Sequence, residues 1–355
     1  MKLCAGILVG LSLLLCLCVG ILVGLSLLLC LTTASAAAPA PSYHLVKTIA
    51  VGGEGGWDYL NVDGSAHRLY VARSNRVTVV DVDKGAVVGE IANTPGVHGV
   101  ALIPREHRGF TSNGGDDTVT VFDTQTLKEL DRVKVGSRPD AIIFDRSTSR
   151  VFTFNGGSND ATAIDAATSK VVGTIALGGR PEFAVSGGDG TIFVNIEDKS
   201  EIVAFDAKAL TVKGRWPLAP GDGPSGIAYD RTNHRLFSVC SNEKMVVMDS
   251  QTGKVVTTVP IGKGPDAAGF DSGLVFSPNG RDGTLTVIQE ETPDTFTVVA
   301  TVPTQVSART MALDRRSHNI YLAAARFAPQ PAGATPQRGR PNIEPNSFVI
   351  LVVGR

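Results

Sequence analysis

The sequence predicts an all-β fold: a seven-bladed β-propeller with four antiparallel strands per blade, closed by the N-terminal strand joining the last blade. Three observations predict it. The chain repeats itself with a period near 42 residues. Each repeat carries four short runs rich in β-branched and aromatic residues, bounded by Gly, Pro, Asn and Asp. The one run that the last repeat lacks stands ahead of the first.

Rows set at Trp57, Val97, Pro139, Pro181, Pro224, Pro265 and Ala308 step by 40, 42, 42, 43, 41 and 43 residues. Each opens with a short apolar strand, often closed by aspartate (Asp63, Asp145, Asp230, Asp271, Asp314). A turn leads to a second strand such as RLYVA (68–72) or RVFTF (150–154). An asparagine-rich turn then leads to a third, such as VTVVD (77–81) or IVAFD (202–206). A turn such as SQTG (250–253) leads to a fourth, such as KVVGTIAL (170–177) or KVVTTVPI (254–261). A period of this length with four strands per unit is the pattern of a propeller blade. The last row has strands at 308–314, 319–325 and 347–353 and no fourth. YHLVKTIAV (43–51) has the fourth-strand pattern, and pairing it with the last row closes the ring without a free seam.

Rows such as RLYVARSNRVTVVDVDKGAVVGEI (68–91) and HRLFSVCSNEKMVVMDSQTGKVVTTVPIG (234–262) resemble the YVTN-type, YncE-like seven-bladed propeller repeats of exported bacterial proteins. The resemblance covers roughly residues 43–353. It implies the fold and leaves the activity open, because propellers host unrelated functions. The literal Tyr-Val-Thr-Asn string is absent; YVARSN, FTFNGG and IFVNIED stand nearest, and the sixth row departs most, with Gln289 where others have aspartate.

In such a blade the start of strand one and the end of strand two share one face of the disc. Strand one is innermost, so the opening residues of each row ring the mouth of the central channel. Their second positions are Asp58, His98, Asp140, Glu182, Ser225, Asp266 and Arg309. This ring is the candidate ligand-binding site. His98, Asp140, Glu182 and Asp266 are the candidate ligands of a divalent metal, since neutral imidazole and carboxylates suit such ions. The alternatives are that the acids and Arg309 hold a polar organic ligand, or that the ring caps strand ends and bonds blade links around water. No catalytic residue is assigned.

His67, His107, His234 and His318 recur in the strand one–two turn and are expected there for turn geometry on the opposite face; His44 falls in the closing strand. Asn75, Asn113, Asn155, Asn195, Asn242 and Asn279 end the second strands, where the left-handed backbone that asparagine tolerates is the expected reason. Asp81, Asp123, Asp165, Asp206 and Asp249, closing strand three, are expected as turn caps. The last blade carries an insertion between strands two and three, RFAPQPAGATPQRGRPNIEPN (326–346), with five prolines and three arginines. It is expected as an extended polar segment on the channel-mouth face: a lid or docking arm carrying Arg338 and Arg340, or a tolerated disordered insertion.

The ends and composition bound the setting. GILVGLSLLLCL occurs twice, at 6–17 and 20–31, ahead of Ala34-Ser35-Ala36. This reads as a signal peptide (1–36) with a duplicated core, a linker (37–42) and the propeller (43–355), or as an uncleaved anchor. Export to the periplasm or outside the cell is expected, with no stable membrane insertion after cleavage. Four of five cysteines lie in the leader; Cys240 reads as a small strand residue, not a nucleophile. Without the leader the formal charge is −2. No basic run appears, so no nucleic-acid partner is expected.

No Cys-x-x-Cys-His occurs, so no haem is expected. Trp57 and Trp216 do not recur per blade, so no pyrroloquinoline quinone (PQQ) is expected. GGEGG (52–56) joins two strands and does not open a helix, so no nucleotide is expected. No Gly-x-Ser-x-Gly elbow occurs. A divalent metal is the cofactor the ring would suit. Three functions follow as expectations: a monomeric exported propeller binding a small polar ligand or a protein partner at the mouth; a metal-assisted lyase or lactonase using the same ring; and a cell-surface scaffold using its rim.

Overall fold

The computed structural model describes residues 42–328 and 342–355. Seven four-stranded antiparallel sheets form the seven blades of a β-propeller. Blades one to six each take four consecutive strands. The seventh is composite: His44–Ala50 pairs with Val349–Gly354, which pairs with Asn319–Ala324, which pairs with Met311–Asp314. Among the described residues the helical content is two 3₁₀ turns, Pro104–Glu106 and Glu197–Lys199. The proposed leader lies outside the described residues.

The burial of each strand follows its place in the blade. The second and third strands lie between neighbouring blades and are apolar on both faces; Thr191–Ile196 is buried at every position. That burial explains why these runs read as continuous hydrophobic stretches. The blades meet through aromatic contacts such as Tyr70–Phe122, 5.9 Å, and Phe152–Phe205, 5.7 Å between centroids. The outer strands are exposed along most of their length and leave valines such as Val87 and Val88 in solvent.

The recurring polar residues settle into two devices. His67, His107, His234 and His318 have φ of 54°, 53°, 56° and 59°, the left-handed conformation that turns the chain between strands one and two. Ser149 and Ser272 do the same in blades three and six. The aspartates closing strand three cap their own turns: Asp123 Oδ1 accepts from the Gln125 and Thr126 amides, and Asp206 Oδ1 from those of Lys208 and Ala209.

The asparagines work differently from the expectation. Asn113, Asn155 and Asn279 are fully buried and stay in strand conformation. Asn113 Nδ2 donates to Thr118 and Thr120 hydroxyls at 3.0 and 2.9 Å, and its Oδ1 accepts from Thr111. Asn279 repeats this clamp with Thr284, Thr286 and Ser277. Their work is to satisfy buried polar groups between strands two and three, not to supply left-handed backbone.

Candidate ligand-binding site at the channel mouth

The ring residues reach the mouth through irregularities in the innermost strands. Pairing slips between Pro139 and Ile142, between Pro181 and Ala184, between Pro224 and Ile227, and between Val97 and Gly99. A β-bulge re-aims the side chain it frees from the ladder. The freed residues are His98, Asp140, Glu182 and Ser225. In blades one, six and seven the regular first strand begins only at Leu60, Gly269 and Met311, beyond Asp58, Asp266 and Arg309. Blade-to-blade bonds fix the ring's backbone. Thr310 Oγ1 donates to the Asp58 carbonyl at 2.9 Å, Ser112 Oγ to that of Asp140, and Asn195 Nδ2 to that of Ser225 at 2.9 Å.

The seven positions do not do the same thing. Asp58 is 6% exposed; its Oδ2 lies 2.7 Å from His98 Nδ1 and its Oδ1 3.6 Å from an Arg309 nitrogen. Asp140 Oδ1 is 3.6 Å from the same His98 nitrogen. Because ionised carboxylates only accept, this geometry assigns a proton to Nδ1. The ring's other edge lies over Gly114, where an added Cβ would stand 2.9 Å from Nε2. Arg309 Nε reaches Asp266 Oδ2 at 3.3 Å, and its Nη2 donates to the Trp57 carbonyl. Ser225 donates its hydroxyl to the Pro265 carbonyl at 3.2 Å and so works as a blade link.

Glu182 stands among acids. Burial, then the Asp140 charge, then a hydrogen bond and repulsion from Glu197, push its carboxyl up to about 10. It therefore carries a proton at neutral pH. Of the four residues expected as metal ligands, His98 and Asp140 come together, with Asp58 as the third. One ligand atom from each of these three lies within 4.8 Å of the others. Asp266 pairs with Arg309, and Glu182 stands outside this group.

Sequence reasoning missed the floor. Tyr59 and Phe183 meet as a tilted pair, 4.9 Å between centroids. Blades one and four are not neighbours, so this contact crosses the central channel, and Tyr59 is only 6% exposed there. The ring is thus a bowl with an aromatic bottom. Burial, then the charges of Asp140, Asp266, Glu182 and Asp58, raise the Tyr59 phenol well above its ordinary range, so it stays neutral. A signal was present: the third positions of the rows are Gly99, Ala141, Gly226, Ala267 and Thr310, and only Tyr59 and Phe183 are large. At Gly226 an added Cβ would stand 2.4 Å from Ala267 Cα.

The wall beside Arg309 is built by the link into blade one and by the ends of the insertion. Arg73, 1% exposed, donates to the carbonyls of Gly52, Glu54, Gly55 and Gly56 and lies 3.8 Å above the Phe348 ring. Burial, helped by Arg76, lowers its guanidinium to about 10. Phe327 pairs with Ile343 as an isolated bridge, and Arg326 holds Glu344 at 2.8 and 2.9 Å. Together with Trp57, Pro265, Asp266 and Arg309, these two apolar side chains enclose a cleft of about 550 Å³. Arg338 and Arg340 lie outside the described residues. Cys240 is buried, and burial pushes its thiol up to about 12, as suits a strand residue.

The comparisons speak to fold. The chain matches no family model and no curated protein sequence. It is similar to RRP9 WD40 repeats (TM-score 0.71, 11% identity, covering 89% of this chain and 99% of that one). It is also similar to a chain of the mitotic checkpoint complex (0.69, 15%, 81% and 92%) and to one of Kuenenia stuttgartiensis hydrazine synthase (0.67, 16%, 75% and 92%). At these identities the likeness shows the seven-bladed propeller and nothing finer.

Proposed function

We propose that this chain is an exported, YVTN-type propeller that works as a monomer and binds a small polar ligand or a protein partner at its channel mouth, with no catalysis assumed. The observation that carries the reading is the bowl: six ionisable side chains from six blades converge above an aromatic floor. Charged groups gathered at partial burial cost stability, and a site is the usual reason to keep them. That a similar propeller belongs to the mitotic checkpoint complex supports a protein as one class of occupant.

A metal-assisted lyase or lactonase is the second reading, favoured by the Asp58, His98 and Asp140 group. It requires His98 Nδ1 to exchange its aspartate bond for an ion, close to the Arg309 charge. A scaffold reading is favoured by the rim, where Leu45, Val46, Val87, Val88, Leu130 and Val172 are 43–56% exposed on outer strands. Native mass spectrometry with elemental analysis, on protein recovered from its producing cells without chelator, separates the three. The first reading predicts a bound organic or protein species that survives Val88→Lys/Val172→Lys and is lost in His98→Ala/Asp140→Asn. Stoichiometric metal lost in the second variant would replace it with the metal reading, and a partner lost only in the rim variant would replace it with the scaffold.

A further inference from the structure

We propose that the lengthened hairpin of blade six is latched to blade five by a proton shared between Glu290 and Asp230, and that rising pH releases it. The latch lies on the face opposite the mouth and does not depend on what the mouth binds.

It starts from the row that departs from the repeat. In blade five, strands three and four are six residues each, Lys244–Asp249 and Val255–Pro260, and Asp249 caps the turn between them. In blade six they are nine residues each, Thr284–Thr292 and Thr295–Pro303. Gln289 stands where the capping aspartate would be, and its amide donates to the Gly273 and Glu290 carbonyls. With no cap to close the turn there, the two strands run on. The first residue of the extension, Glu290, is 7% exposed, while residues 291–295 beyond it are exposed.

In the seam Glu290 meets a second buried carboxyl. Asp230, 4% exposed, accepts the Thr232 and Asn233 amides at 2.9 and 3.1 Å. The Asn233 side chain donates to Glu290 Oε1 at 3.0 Å, so one asparagine holds both acids. Among the described residues no N–H or hydroxyl donates to Glu290 Oε2, although that oxygen is buried. A buried carboxylate oxygen without a donor is costly, and a second carboxylate beside it adds repulsion. A proton on Glu290, donated to Asp230, removes both costs. Burial, then the Asp230 charge and a hydrogen bond with Asp230, prevail over the Asn233 bond and the Arg235 charge and push the Glu290 carboxyl up to about 7.

The other charges of the seam have partners of their own. Arg235 donates to the Pro293 carbonyl at 2.7 Å and pairs with Asp294 at 3.0 Å and Asp249 at 2.8 Å. His234 Nδ1 lies 3.4 Å from the Tyr229 hydroxyl. Asp271, on the inner turn of blade six, pairs with His318 of blade seven. Glu291 is exposed. Once Glu290 ionises, two carboxylates face each other across the seam. Arg235 and the contact of Phe296 with Phe237, 5.7 Å between centroids, then hold the hairpin against that repulsion. The folded value of Glu290 lies above its ordinary one. Its stabilisation is therefore complete below the ordinary glutamate range and is lost as pH rises through about 7.

The test is hydrogen–deuterium exchange of the full chain at about pH 5 and about pH 8, with rates corrected for the intrinsic pH dependence of exchange. Protection of residues 290–296 is expected to fall at least about tenfold at the higher pH, because the closed hairpin binds the Glu290 proton more tightly than the open one by at least that factor. The Asp249 turn of blade five, residues 249–253, is expected to keep its protection. In Glu290→Gln, whose amide can donate to Asp230, the hairpin is expected to stay protected at both pH values. A carbon-13 titration of Glu290 in the parent, which needs no variant, is expected to centre near 7. Unchanged protection of the parent hairpin, an equal loss at the Asp249 turn, or a Glu290 midpoint in the ordinary glutamate range would overturn the proposal. So would a pH response that persists in Glu290→Gln, which would belong to His234 or His318.

Discussion

The two faces of the disc use the same residue type to opposite ends. On the face of the strand three–four turns, each aspartate is surrounded by donors of its own turn. The Lys84 amide lowers Asp81, the Thr126 amide Asp123, the Thr168 hydroxyl Asp165, and the Ala209 amide Asp206. Asp145, closing a first strand on that face, is fully buried; burial pulls it upward, but the hydroxyls of Ser186, Thr148 and Ser147 outweigh that and hold it low. On the mouth face some acids also serve the fold, as Asp198 and Asp282 do by accepting the Arg180 and Lys263 amides, but the acids of the ring come from different blades and meet each other. There burial and neighbouring carboxylates push Glu182 up to about 10. A carboxylate satisfied by its own turn serves the fold, whereas carboxylates assembled from separate blades serve no local turn. The difference separates structural acids from candidate functional ones without any appeal to motif.

The comparison breaks most visibly at the floor that holds the mouth apart from the rest of the channel. Tyr59→Ala should cost about 3–5 kcal/mol in chemical denaturation, as for other buried aromatics, because Phe183 loses its partner across the channel. A loss below about 1 kcal/mol would mean that the bowl has no packed bottom. Next come paired isosteric changes. Asp145→Asn replaces a buried acceptor of four hydrogen bonds and should cost about 1–3 kcal/mol. Glu182→Gln removes a carboxyl that the fold must keep protonated above the ordinary glutamate range, so at neutral pH it should stabilise the protein and not cost stability. Equal losses would erase the distinction between the faces.

The pH dependence sharpens it further, with opposite signs. The turn aspartates and Asp145 have folded values below their unfolded ones. Their stabilisation is present above the ordinary aspartate range and is lost as pH falls through the depressed values. Glu182 has a folded value above its unfolded one. Its contribution is complete below the ordinary glutamate range and is lost as pH rises toward about 10. Thermal melts between acid and alkaline pH should therefore show an alkaline decline in the parent that Glu182→Gln flattens. Smallest of all, Gly114→Ala should cost about 1 kcal/mol and displace the His98 ring, since the new Cβ would stand 2.8 Å from Cδ2; an unmoved imidazole resonance would contradict that contact.

The fold was legible because each blade repeats its own instructions. The apolar runs of strands two and three, the turn aspartates and the left-handed histidines are local patterns, and repetition made each visible several times. The closing strand, His44–Ala50, was legible by the same bookkeeping of four runs per row. The ring's seven positions followed from topology, yet their roles did not. Whether Ser225 links blades or Glu182 holds a proton depends on bulges and on distances between blades, neither of which is written in any one repeat. The clamp formed by Asn113 and Asn279 was misread because a buried side-chain network and a left-handed turn favour the same residue. Tyr59 is invisible to a reading of charge at the second position, because its signal is size at the third.

The central claim is that the mouth face gathers acids which cannot all ionise, while on the other face the aspartates of the strand three–four turns are held low; Glu290 is the exception there, pushed up to about 7 by burial and the Asp230 charge. Carbon-13 NMR titration of side-chain carboxyl groups, in the parent and in Glu182→Gln, tests it most directly. The account predicts one glutamate resonance that titrates toward about 10 and is absent from the variant, with the turn aspartates titrating below their ordinary range. Complete ionisation of every glutamate below neutral pH would contradict it.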